Sequence, residues 1–133
     1  MTRKVALLGG VASTLAHAPF DDPSWAIWSH SSVVPKLARR VDRWFDLHPP
    51  HCFQEVRKCG RADYYGWLKR CTTPVYMQKH YPEIPASVRY PIERIRAEWP
   101  TVPFGSQTAW MIALALTEGM THLGLFGIHY QFE

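Results

Sequence analysis

The stretch GSQTAWMIALALTEGMTHLGLFGI, residues 105–128, decides the fold. Gly105-Ser106 offers a helix start, the run from Gln107 to Glu118 favours helix, and Gly119 stands where a helix is closed by a left-handed residue. Leu123 to Ile128 then reads as a short apolar strand. A helix feeding directly into a buried strand is half of a βαβ unit, so the same alternation is expected upstream.

It is found there. Val5-Ala6-Leu7-Leu8 is an apolar run closed by Gly9-Gly10, the form of a strand buried on both faces. A short helix is expected between Val11 and His17, and Trp25 to Trp28 reads as a second strand. Val33, Val34, Leu37 and Val41 recur at helical spacing and predict a second crossover helix over 33–40. Arg43 to His48 reads as a third strand ended by Pro49-Pro50, Asp63 to Arg70 as an amphipathic helix, and Thr73 to Met77 as a fourth strand. Five prolines between Tyr81 and Pro103 predict mostly loop, a candidate lid, with a short helix near Ile92 to Glu98. The expectation is a single Rossmann-like α/β domain over residues 1–133. It has about five mostly parallel strands and helices on both faces.

Length and composition agree with one domain: 133 residues with 47% hydrophobic content suffice for one core but not for two. No apolar run approaches the roughly 20 residues that span a bilayer, so no membrane partner is expected. Three cysteines without a CxxC pair point to a reducing, cytoplasmic setting. The net charge of +4 favours anionic ligands, but the basic residues are dispersed, which argues against a nucleic-acid partner.

In open α/β sheets, ligands bind beyond the carboxyl ends of the strands, where helix N-termini and free amides converge. That rule selects Gly9, Gly10 and Ser13 after the first strand, Ser29, His30 and Ser31 at the second, His48 at the third, and Gln78 and Lys79 after the fourth. It also selects His129 and Tyr130 after the last strand and Gly105 with Ser106 at the last helix. Gly9-Gly10 with Ser13 resembles a reduced phosphate-binding turn, although neither the full GxGxxG spacing nor a Walker lysine is present. Asp46 lies two residues before His48, on the same face of an extended chain, and can orient its imidazole; this is the acid–base pair. No HExxH, HxH or paired Cys/His spacing suggests a metal, no cofactor is implied, and no GxSxG elbow marks a nucleophile. Tyr81 and Tyr90, in the proline-rich segment, are the aromatics expected to face a ligand.

Taken together, Lys4 to Gly10, Ala18 to Trp28, Arg43 to His48 and Thr121 to His129 resemble small Rossmann-like proteins of tailed bacteriophages. More distantly they are similar to motility-accessory and sialyltransferase-like nucleotide-sugar domains. The resemblance implies a nucleotide framed by the first glycine turn and the last strand end, and, for a phage protein, the host cytoplasm. It departs at His129, where those domains carry an acidic residue and continue into further helices. The resulting expectation is binding, or sequestration, of a nucleotide-like phosphate-bearing small molecule at the carboxyl edge of the sheet. The alternatives are a transferase or hydrolase acting on a nucleotide or nucleotide sugar, and a phage-encoded protein-interaction module. A short open sheet also leaves edges for a homo-oligomer to cover.

Overall fold

The computed structural model describes residues 3–54 and 63–128. Its strands are β1 (Lys4–Leu8), β2 (Trp25–His30), β3 (Arg43–Phe45), β4 (Val75–Met77), β5 (Ser87–Arg89) and β6 (His122–Phe126). The helices are α1 (Ala12–Leu15), α2 (Pro50–Phe53), α3 (Tyr64–Arg70), α4 (Ile92–Glu98) and α5 (Gln107–Thr117), with a 3-10 turn at Pro35–Leu37. One sheet contains all six strands in the order β5-β4-β3-β2-β1-β6, and every pairing is parallel. Among the described residues no helix is long and apolar enough to cross a membrane.

Period-two alternation along the strands fills both sides of the sheet. Ala6, Leu8, Ile27, Trp44, Val75 and Met77 face a first core layer, with Leu15 of α1, Phe53 of α2 and Leu68 of α3. Val5, Leu7, Trp28 and Phe45 face the second, with Ile95 of α4 and Met111 and Leu114 of α5. Each large apolar side chain sealed in this way contributes about 1.5–3 kcal/mol over its exposed state.

The ends of α5 follow from local chemistry. The Ser106 hydroxyl accepts from the Ala109 amide at 3.2 Å, which satisfies one of the helix's unpaired first-turn donors. At the other end Gly119 takes φ +84, so that its amide reaches Leu116 O and the Met120 amide reaches Ala115 O. A residue with a Cβ would oppose that left-handed closure.

Two expectations are corrected. The sheet has six strands rather than five, because Ser87–Arg89 within the proline-rich segment is the edge strand β5, and α4 follows it. Pro85 and Pro91 bracket β5 without harm, since an edge strand needs ladder bonds on one side only. The crossover over 33–40 is the 3-10 turn and extended chain rather than a helix, with Val34 and Leu37 exposed. Arg40 holds this crossover by donating to the carbonyls of Phe20, Asp22 and Trp25, and β-branched Val33 and Val34 suit extended backbone.

Candidate functional site

A cleft of about 460 Å³ opens at the carboxyl edge of the sheet, beyond β2 and β3 and against the first turn of α5. Its walls come from His30 at the end of β2, Ser31 and Ser32 after it, Asp46 and His48 after β3, Cys52 of α2 and Tyr64 of α3. The start of α5 adds Ser106, Gln107 and Thr108.

Asp46 is the centre of the arrangement. Trp44 and Asp46 point to the same side of the sheet, so the carboxylate enters the first core layer, where it is 1% exposed. Three donors compensate its burial: the Tyr64 hydroxyl at 2.7 Å, the His48 Nδ1 at 2.7 Å and the His48 amide at 3.2 Å. The last of these bends the chain away from the ladder, which is why β3 ends at Phe45 rather than at His48. Tyr64 in turn accepts from the indole N–H of Trp44 at 3.1 Å, so a buried relay runs Trp44, Tyr64, Asp46, His48.

The His48 imidazole is half exposed, and its hydrogen bond to Asp46 raises its pKa above the ordinary value, against the opposing effect of burial. Asp46 favours the tautomer that carries a proton on Nδ1, so Nε2 takes no part in this bond. Ser31 Oγ lies 3.5 Å from the same Nδ1 rather than from Nε2, so His48 cannot take its proton as the base of a serine triad does. Ser31 is instead held by Gln107 Nε2 at 2.7 Å, while Gln107 Oε1 accepts from the Leu47 amide at 2.8 Å. One side chain thereby locks the start of α5 to the ends of β2 and β3.

The cleft is rich in donors. It combines an imidazole of raised basicity, the hydroxyls of Ser31, Ser32 and Ser106, and the positive end of the α5 dipole with the amides of Gln107 and Thr108. Among the described residues no group of three or more His, Cys, Asp or Glu is placed to hold a metal ion.

Of the residues selected from sequence, Asp46, His48, His30, Ser31 and Ser106 meet in this cleft. His30 contacts the Ser32 hydroxyl at 3.1 Å. Gly10 lies beside it, since a Cβ there would stand 3.1 Å from Ser32 O. Gly9 serves the sheet instead, for its amide donates to Phe126 O at 2.7 Å and that of Val11 to Gly127 O at 2.9 Å, lacing β1 to β6. Ser13 is exposed on α1, and Thr14 of that helix accepts from the amide of Gly127, just after β6. Ser29 is buried, its hydroxyl without a hydrogen-bond partner among the described residues, Gly105 borders open space, and Lys79 lies 5.4 Å over the Tyr81 ring; none of the three lines the cleft. His129 and Tyr130 lie outside the described residues. Tyr81 and Tyr90 are buried rather than exposed, at 5% and 3%.

Sequence reasoning missed Tyr64, Gln107, Ser32 and Cys52. A signal existed for two of them: a buried tyrosine needs a partner for its hydroxyl, and the residue after an N-cap stands at the mouth of any site the helix serves.

The chain matches no family model, no curated protein and no solved structure.

Proposed function

We propose that this cleft binds the phosphate of a nucleotide-like small molecule. The observation that carries the reading is the meeting of the α5 N-terminus with the His48 imidazole, whose basicity Asp46 raises. An oxyanion there receives backbone N–H groups, hydroxyls and an imidazolium in one place, and the helix dipole adds to all of them. The cleft's size suits a small molecule better than a polymer backbone.

Isothermal titration calorimetry with inorganic phosphate and nucleoside phosphates tests this. His48→Ala and Gln107→Ala are expected to weaken binding by about tenfold or more each, because one removes the cation and the other frees the helix end. Absence of binding by any of these ligands at millimolar concentration refutes the reading.

A second reading is acid–base catalysis on the bound molecule, a transferase or hydrolase reaction. It is favoured by the Asp46–His48 pair, in which a buried carboxylate fixes Nδ1 and leaves Nε2 to accept or deliver a proton. Chemical identity of the ligand after prolonged incubation separates the two: unchanged ligand supports binding alone, and turnover abolished by His48→Ala supports catalysis.

A further inference from the structure

A second cleft, of about 300 Å³, lies on the other side of Leu47, lined by Leu47, Gln78, Tyr90, Ile92 and Trp110. These residues also follow strand ends: Leu47 follows β3, Gln78 β4 and Tyr90 β5, and Trp110 sits one helical turn beyond Gln107. The Leu47 peptide is the ridge between the two clefts, and both of its polar atoms are fixed. Its amide donates to Gln107 Oε1 at 2.8 Å, and its carbonyl accepts from Gln78 Nε2 at 2.9 Å. We infer that this second cleft receives the heterocyclic base of a nucleoside phosphate whose phosphate lies at His48 and the α5 N-terminus.

The chemistry of the walls selects a planar, nearly neutral ring. Leu47 and Ile92 are aliphatic, and Tyr90 contributes its ring alone, because its hydroxyl is spent on Trp110 O at 2.6 Å. Trp110 is held by Phe104, stacked at a centroid separation of 4.1 Å, and by the edge of Tyr90 at 5.6 Å, so the aromatic wall is formed in advance. Gln78 is the polar side chain of this cleft. With one Nε2 hydrogen committed to Leu47 O, it keeps a carbonyl acceptor and a second N–H in a fixed plane, the complement of an adenine edge. A second sugar would need partners for several hydroxyls, and one amide cannot supply them. The two clefts adjoin, since His48 lines the first and its neighbour Leu47 the second, while Gln107 and Trp110 line them from positions one turn apart along α5, so one ligand can straddle the ridge.

This inference rests on the phosphate reading of the first cleft, and calorimetry on the full chain with ribose 5-phosphate, AMP and adenosine separates the two claims. AMP is expected to bind at least about tenfold more tightly than ribose 5-phosphate. Ile92→Trp, which fills the second cleft, should reduce AMP to the affinity of ribose 5-phosphate and leave the latter unchanged, and Gln78→Leu, an exposed change that leaves the core intact, should narrow the ratio between the two. Equal affinities for AMP and ribose 5-phosphate, both lost in His48→Ala, overturn the base site and spare the phosphate site. Failure of ribose 5-phosphate and AMP to bind at millimolar concentration overturns the phosphate site, and this inference with it, whatever adenosine does.

Discussion

Replacing Tyr64 with phenylalanine removes one oxygen atom from the buried relay and no carbon, so its cost isolates the hydrogen bonds. The indole N–H of Trp44, 1% exposed, loses its acceptor, and a stranded buried donor costs about 1–3 kcal/mol. Asp46 loses one of three donors to its carboxylate, a charged bond of about 1.5–3 kcal/mol. The two losses share one oxygen and cannot simply add, and water from the cleft can reach the vacated position, so the expected destabilisation is about 2–3 kcal/mol. Urea denaturation should show a lower midpoint with an unchanged slope, because the surface exposed on unfolding is the same. A cycle with Asp46→Asn should return a coupling of about 1 kcal/mol or more. With one donor fewer, the carboxylate offers more of its charge to His48, so the imidazole should titrate at higher pH in Tyr64→Phe, as followed by proton NMR. A loss of stability below about 0.5 kcal/mol, with no coupling, would refute the claim that this relay holds the site.

Three further outcomes follow from other features. His48 has a raised pKa in the folded chain, so its bond to Asp46 stabilises the fold fully below the unfolded histidine value of about 6.5 and is lost as pH rises through the folded value. Urea midpoints of the wild type should therefore fall toward alkaline pH across that window, and Asp46→Asn should flatten the profile. Ser106→Ala removes the cap of α5 and should cost about 1 kcal/mol in the same assay, with a loss of helix signal on mild heating. Gly9→Ala places a methyl group against the Gly127 carbonyl and 2.6 Å from Ile128 Cγ1, and overpacking between two laced strand ends should cost about 1–3 kcal/mol by thermal denaturation.

The parts of the fold legible in the sequence are those where local and global preferences agree. β1, β2 and β6 are apolar runs bounded by glycine or turn residues, and α5 carries its own start and stop signals at Ser106 and Gly119. β5 was illegible because three residues between prolines hold no periodicity, and it exists through its ladder with β4. The crossover over 33–40 misled because helical spacing of Val33, Val34 and Leu37 can arise without a helix; Val33 is buried while the other two face solvent. At the site, Asp46 and His48 were legible because two residues of extended chain share a face. Tyr64 and Gln107 were not, since their partners lie 18 to 76 positions away and only the assembled sheet brings them in range.

The position of Asp46 is the strongest internal argument that this edge has a function. A carboxylate sealed in a core is a poor choice for stability, because an apolar residue of similar volume is commonly neutral or better, while removal of any one partner is costly. Trp44 and Phe45 beside it, 1% and 0% exposed, illustrate what the core otherwise selects. The chain nevertheless surrounds this one charge with a tyrosine, an amide and an imidazole, and the imidazole is the member left half open to the cleft. A purely structural aspartate would gain little from being answered by a half-exposed imidazole whose pKa it raises. Fixing the imidazole through Nδ1, and raising its affinity for a proton, is what the arrangement accomplishes, and the start of α5 is pinned by Gln107 against the same two strand ends.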